Sequence, residues 1–339
     1  MKIGFLLPGN FAAGNPANGV LAQANHQAQA LEEIGHKVVR MNPWEPLCKG
    51  DIDVLHFFMG GYGLCGIESN ARHLECPIVF APIIDSNETY YKYRWAARLG
   101  GAVSKLDTIP GTFKRQALGS SAVVVRSQHE YNRVCKGLGV SVDKIHIVLN
   151  GVIPARDAQE ERVRAQMELP ERFVLNVSAY TQPRKNINKL IRAAGELGYP
   201  LIVAGYAPND KTKQEIYQLA SKYKQIRILG FLPRDTINDL MAACEVFALP
   251  SIHEGTGFAA LEAAAIGAKV VITGNGGSKD YFGNMVDYVN PMQLESIRKA
   301  LEHAWVKPKE SHLMNYIKNH LSWKRSAESL VNVYQKSLK

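Results

Sequence analysis

At 339 residues, 46% hydrophobic and 21% charged, the chain is long enough for two domains that each bury a core, and its composition excludes a disordered or fibrous protein. The formal charge of +9 favours an anionic partner, though a basic surface with no particular partner is the plainer reading. Five cysteines, an odd number with no CxxC pair, fit a reduced compartment and argue against a disulfide framework or a structural zinc.

In chain order, Ile3 to Leu7 is too short an apolar stretch before Pro8 to serve as a signal peptide. No apolar run approaches the length of about 18 residues that a membrane span needs. Lys2–Leu7 reads as a strand and Pro8–Gly19 as a loop rich in Gly and Asn. Val20–Ile34 reads as a helix ended by Gly35, and His36–Met41 as a second strand. Strand, glycine-rich loop, helix and strand open a Rossmann-like sheet, but Gly9, Gly14 and Gly19 are not spaced as GxGxxG, so a nicotinamide site is poorly supported. Asp53–Phe58 and Pro77–Ile84 are the next strands, carrying His56 and followed by Asp85 toward the sheet edge where ligands bind. His56 is read as a satisfied histidine at a strand end, and Asp85 has an N-cap reading ahead of Glu88. Glu88–Leu99 reads as a helix in which aromatic residues alternate with Lys92, Arg94 and Arg98. That pattern suits an interfacial or anionic-acceptor surface, or solvated bases on an ordinary helix. Ala122–Arg126 is a strand, Ser127 caps a helix through Leu138, Lys144–Leu149 is a strand, and Asn150–Pro154 is a linker.

The second half repeats the alternation. Strands are expected at Phe173–Val177, Pro200–Ala204, Ile226–Leu229, Val246–Leu249, Lys269–Ile272 and Val286–Val289. Helices are expected at Ile187–Leu197, Asp210–Tyr223, Thr236–Ala243, Phe258–Ile266 and Gln293–Trp305. Such alternation implies a parallel sheet covered on both faces. The tail from Leu321 to Tyr334 is amphipathic, with Leu330, Val333 and Tyr334 on one side.

The densest stretch is Ser251 to Gly267. A buried strand stopped by Pro250 leads into Glu254-Gly255-Thr256-Gly257, and an Ala-, Leu- and Glu-rich helix starts at Phe258. A helix N-terminus beyond a glycine loop offers backbone N–H groups and the positive dipole end to a phosphate or diphosphate. Glu262 falls about 7 Å along that helix from Gly257, at about 1.5 Å per residue. Glu254 and Glu262 can thus accept hydroxyl hydrogen bonds on opposite sides of bound phosphates. The plainer alternative makes Glu254 a helix cap and Glu262 a solvated residue.

Glu254 and Glu262, with Gly255-Thr256-Gly257-Phe258 after the first, resemble the signature of family 4 retaining glycosyltransferases of the GT-B fold. The resemblance implies an α/β chain of two Rossmann-like domains facing each other across a cleft. Residues 1–152 would form an acceptor domain, 153–320 a nucleotide-sugar donor domain, and 321–339 a helix crossing back to the first. It implies that Glu254 contacts the donor sugar and Glu262 the ribose, with Gly255, Thr256, Gly257 and Phe258 at the phosphates. Gly230, Phe231 and Leu232 would hold the nucleobase, or form only a strand end and turn. Gly19, with Asn18, would line the cleft near the donor, or form a tight turn. Asp85 stands where the family carries a His-Asp pair whose His is here Ile84; it would contact acceptor or donor sugar. A Gly-Arg pair common in the family is replaced by Ser178-Ala179, leaving Lys185, assisted by Arg184, to neutralise the leaving diphosphate; a solvated turn is the plainer reading of those two bases.

The expected function is therefore transfer of a hexose-type sugar from a UDP or GDP sugar to a glycan or lipid-linked acceptor, with retention, no cofactor and no metal. A cytoplasmic location is expected, with peripheral contact to an anionic membrane left open. Two alternatives remain: a nucleotide-sugar epimerase, for which Asp85 and His253 are a thin acid–base pair, or a non-catalytic sugar-nucleotide-binding subunit. A nucleic-acid partner is not expected, because the bases are dispersed and match no known module.

Overall fold

The computed structural model describes every residue except 10–18, 43, 87, 103–107, 154–157 and 208; nothing is stated of the side chains of 100–102. The chain divides into two compact units, Met1–Gly151 with Leu321–Lys339, and Val152–His320.

The first unit holds β1 (Lys2–Leu6), α1 (Gly19–Glu33), β2 (Lys37–Arg40), β3 (Val54–Phe58), α2 (Ile67–Asn70), β4 (Ile78–Ala81), α3 (Tyr90–Ala102), α4 (Ile109–Gly119), β5 (Ala122–Val125), α5 (Gln128–Asn132) and β6 (Ile145–Ile147). Its sheet runs β2-β1-β3-β4-β5-β6, all parallel. Every residue of β3, β4 and β5 is buried, as expected for central strands with helices on both faces. β4 stops at Ala81, short of the expected Ile84, because Ile83 turns to φ 52, which a β-branched residue adopts only under strain and which no strand can continue through.

The second unit holds α6 (Glu160–Met167), β7 (Val174–Val177), α7 (Ile187–Glu196), β8 (Leu201–Ala204), α8 (Asp210–Ala220), β9 (Ile226–Gly230), α9 (Arg234–Ala243), β10 (Val246–Leu249), α10 (Phe258–Ala265), β11 (Lys269–Thr273), α11 (Ser278–Phe282), β12 (Asp287–Val289), α12 (Leu294–Val306) and α13 (Ser311–His320). Its parallel sheet runs β12-β11-β10-β7-β8-β9. The chain starts in the middle at β7, lays down β8 and β9 on one side, then returns to place β10, β11 and β12 on the other. That reversal opens a crevice between the carboxyl ends of β7 and β10, the place where doubly wound sheets bind ligands. α7 buries Ile187, Leu190, Ile191, Ala193 and Ala194 against the sheet at helical spacing.

The last helix, α14 (Trp323–Ser337), belongs to the first unit and packs on α1. Ser322 caps it by accepting from the Arg325 N–H, and Leu330, Val333 and Tyr334 are buried. α2, α4, α6, α11 and α13 are helices that hydropathy patterning did not show. The helix after Ser127 is α5 followed by a π-turn over Arg133–Leu138, closed by Gly139. Among the described residues, no helix is long and apolar enough to cross a membrane.

Candidate functional site

The crevice at the β7–β10 switch point is built from two loops. After β10 the chain passes Pro250 and Ser251 to Glu254, then turns at Gly257, whose φ of 76 is open to glycine at no steric cost, and enters α10. Gly257 is the N-cap and offers no side-chain oxygen, so this helix end has no capping side chain of its own. The Glu254 carboxylate bonds Lys185 rather than an α10 amide, so Glu254 is not a helix cap, which corrects that alternative. A Cβ on Gly257 would stand 3.0 Å from Ile272 Cδ1, so the turn is packed as well as twisted.

After β7 the chain forms a short turn, Pro183–Lys185, ending on Asn186 at φ 58. The two loops are sewn together by the backbone. Ile252 N–H donates to the Arg184 carbonyl at 2.7 Å, and Asn186 Nδ2 donates to the carbonyls of Pro250 at 3.0 Å and Pro291 at 2.8 Å. This stitching aims Lys185 at Glu254: Nζ to Oε1 is 2.6 Å, with both side chains buried. Arg184 lies farther out, 3.6 Å from the same oxygen and half exposed. Contact between the two buried groups offsets part of the desolvation cost that either would bear alone in low dielectric. The site thus carries a fixed cation and a fixed anion in contact, next to a helix N-terminus.

A third loop locks Glu254 in place. Its N–H donates to the Asn275 carbonyl at 3.1 Å, and its carbonyl accepts from Gly277 N–H at 2.9 Å, a one-residue parallel bridge to Gly276. Gly276 sits at φ 110, and a Cβ there would lie 2.0 Å from the Glu254 carbonyl oxygen. In the sequence Gly274–Gly277 carries only the local signal of a flexible turn, since the Glu254 it braces lies about twenty residues away.

Along α10, Glu262 is held bidentately by Arg234 from the first turn of α9, at 2.6 and 3.0 Å. Glu262 is mostly covered and Arg234 mostly exposed, so the solvated-residue alternative for Glu262 is also corrected. Arg234 was missed, since nothing in its own stretch marks a base 28 positions from its carboxylate as a partner. Gly230 ends β9 at φ 73, its carbonyl accepting from Gly205 N–H at 2.7 Å; Phe231 is exposed and Leu232 partly covered. Thr256 is buried, with its hydroxyl 3.4 Å from that of Tyr281, while Gly255 and Phe258 are partly covered. The second unit therefore gathers Lys185, Arg184, Glu254, Gly255, Thr256 and Gly257 at one sheet edge, with Glu262 and Arg234 on the helices that flank it.

Asp85 and Gly19 belong to the first unit. Gly19 is the exposed first residue of α1, and Asn18 and Gly14 lie outside the described residues. Asp85 does not cap α3, which starts at Tyr90, since the Glu88 N–H takes Ser86 Oγ instead. Its carboxylate accepts from Arg126 Nη2 at 2.8 Å, and Arg126 in turn donates through Nε to Glu130 at 3.2 Å. Glu130 also accepts from the N–H of Ile84 at 2.6 Å and of Arg126 at 2.8 Å, holding the strained Ile83 loop in place. His56 is wholly buried, its Nδ1 2.6 Å from the Tyr334 hydroxyl. Burial lowers its pKa to about 3, so it is a neutral core residue tying α14 to β3.

Comparison with known proteins follows this geometry. Residues 157–320 match the family described as glycosyl transferases group 1. An uncharacterized glycosyltransferase of Methanocaldococcus jannaschii is 28% identical over 238 residues, 64% of this chain and 60% of that protein. A serotype-specific mannosyltransferase of Escherichia coli is 28% identical over 201 residues, 55% of this chain and 24% of that protein. The matched stretch thus spans less than two thirds of these relatives. The Anabaena protein HepE, solved with UDP-glucose, superposes with a TM-score of 0.70 at 16% identity, covering 99% of this chain and 100% of that one. That likeness establishes the GT-B fold of two Rossmann-like units.

Proposed function

We propose, from the membership of residues 157–320 in the glycosyl transferases group 1 family, that the protein is a retaining glycosyltransferase moving a hexose-type sugar from a nucleoside diphosphate sugar to a glycan or lipid-linked acceptor. The observation that carries this reading is the buried Lys185–Glu254 pair at the β7–β10 switch point, beside the α10 N-terminus. The name of the Escherichia coli relative and the UDP-glucose in the Anabaena structure support a hexose donor on UDP or GDP.

The chemistry follows from the charges. The diphosphate lies against the α10 amides and Lys185, where fixed donors meet the charge that grows as the anomeric C–O bond lengthens. Lys185 is already ordered by Glu254, so little reorganisation accompanies bond cleavage. Glu254 orients the sugar through its hydroxyls, and Glu262, steadied by Arg234, takes the ribose. The acceptor oxygen attacks the same face of a short-lived oxocarbenium-like ion, and its proton passes to the departing diphosphate oxygen. Arg184, half exposed, adds its charge to the phosphates from the solvent side. We propose that these cations take the place of a metal at the diphosphate, and that no cofactor takes part. Asp85 serves the acceptor, aimed by the Arg126–Glu130 clamp.

Calorimetric titration with UDP, GDP and ADP tests the donor site. One nucleotide is expected to bind, and Lys185→Ala and Glu262→Ala are expected to weaken it about tenfold or more, the loss of one charge-assisted hydrogen bond each. A folded protein that binds none of the three, or whose affinity neither substitution changes, refutes the assignment. Product analysis with the bound nucleotide's sugars then separates transfer from donor isomerisation or binding without turnover.

A further inference from the structure

The first unit contains a cavity of about 460 Å³ that the proposed reaction does not use. Its wall carries Arg94 and Arg98 from α3, Lys114 from α4 and Lys136 from the π-turn, and among the described residues no Asp or Glu lines it. None of these four bases pairs with a carboxylate among the described residues. Arg94, Arg98 and Lys136 are exposed and Lys114 is partly covered, so the hollow is open to solvent; clustered like charges repel, and a concave surface of one sign concentrates their field. The cluster costs stability in the free protein and gains most from a multiply charged anion.

The aromatic residues hold the bases in place. Lys136 Nζ lies 5.8 Å from the Tyr90 ring centre, and the Arg98 guanidinium 5.8 Å from that of Trp95. Gly137 keeps the wall close, since a Cβ there would stand 3.2 Å from Tyr93 Cβ and 3.3 Å from the Tyr90 carbonyl. The volume lies within the range of small-molecule sites and is too small for a duplex or a protein segment. Tyr91, Trp95 and Leu99 are exposed beside it, an apolar shoulder to a cationic hollow.

We infer that this cavity is a binding site for a multiply charged phosphate ligand, separate from the Lys185–Glu254 site. The same chemistry is offered by a soluble polyphosphorylated molecule and by a phospholipid headgroup, and two probes distinguish them. The full-length protein is titrated with inositol hexakisphosphate by calorimetry. It is also sedimented with vesicles of phosphatidylcholine alone and of phosphatidylcholine with phosphatidylglycerol. The test variant is Arg94→Gln with Arg98→Gln. The control, Lys211→Gln with Lys222→Gln, removes the same charge from exposed positions of the second unit.

Binding of either probe is expected to fall about tenfold or more in the test variant, at roughly a factor of five per lost base. It is expected to stand in the control and in Lys185→Ala. Loss confined to the soluble probe assigns a free phosphate ligand, and loss confined to anionic vesicles assigns a headgroup. If the arginine variant fails to fold, Lys136→Gln at its exposed position makes the same comparison. Equal loss in test and control variants, abolition by Lys185→Ala, or no binding of either probe overturns the inference.

Discussion

Glu262 and Arg234 show how the site divides its labour among residues. An ion pair with one mostly exposed partner, as Arg234 is here, contributes only about 0–1 kcal/mol to stability, so this one is not explained as a structural brace. Its two-point geometry instead fixes which way the Glu262 oxygens face, and in the ribose-binding role proposed for it that carboxylate gains from having its rotamer set in advance. Arg234→Ala is therefore expected to weaken nucleotide binding by about three- to tenfold while leaving the melting temperature within about 2 °C of wild type. Paired with Glu262→Ala in a double-mutant cycle, the two losses are expected to be strongly non-additive, since each removes the same arrangement. Strict additivity in the titrations would show that Arg234 acts on the ligand independently of Glu262. Lys185 and Glu254 differ in kind: both are buried, and truncating one leaves the other a stranded charge, so part of any activity lost there is lost folding.

At the scale of elements, the site depends on how closely three loops approach, and Gly276 is the tightest point. The bridge to Glu254 leaves 2.0 Å where a Cβ would go, and the φ of 110 is one that side chains rarely adopt. Gly276→Ala must push the 274–277 loop off Glu254, release the pair of backbone hydrogen bonds and let the Glu254 carboxylate drift from Lys185. Turnover is expected to drop by two orders of magnitude or more, because a misplacement of about 1 Å costs about a hundredfold. Hydrogen exchange at the Glu254 and Gly277 amides is expected to speed up in the same variant; an unchanged exchange pattern with full activity would falsify the bracing role. What was legible in the sequence follows the same division. The buried strands announced themselves as apolar runs, and Gly257 with the Ala-rich stretch announced α10, because those signals are local. Helices such as α4, which opens on Ile-Pro-Gly, and α13, which buries only Ile317, carry no clean apolar stripe, so periodicity passed over them. The candidate carboxylates and Lys185 were legible as residue types in a pattern. Their partners were not: Gly276, Arg234 and the Arg126–Glu130 clamp on Asp85 meet their targets through sheet topology, which places distant loops at one edge.

For the whole molecule, the two units are built to respond differently to acid. In the first unit, burial holds His56 neutral with a pKa of about 3; His146 is lowered by burial and then by Lys336, and His36 by burial and then by the chain's amino terminus. The sign follows from proton counting. Below the ordinary histidine value of 6.5 the unfolded chain binds protons that the folded unit refuses, so stability rises with pH and is lost as pH falls from 6.5 toward about 3. His56 alone gives a slope of up to about 1.4 kcal/mol per pH unit in that window. In the second unit, among the described residues, Glu245 is an acid whose pKa is shifted. Burial alone would raise its pKa, but the Lys269 hydrogen bond and charge, with Lys309 and Arg172, outweigh it and hold the carboxyl below 4.5. The stability Glu245 contributes is therefore kept until the pH falls below that value. Between pH 7 and 5 the first unit is expected to loosen while the second does not. Hydrogen exchange corrected for intrinsic rates checks this: protection of β3, β4 and α14 is expected to fall on acidification, and that of β7 and β10 to hold. His56→Gln, which cannot take up a proton, is expected to be less stable at pH 7 and to flatten the first unit's response. Equal loss of protection in both units, or a wild-type slope retained in His56→Gln, would show that this buried imidazole does not set the acid limit of the fold.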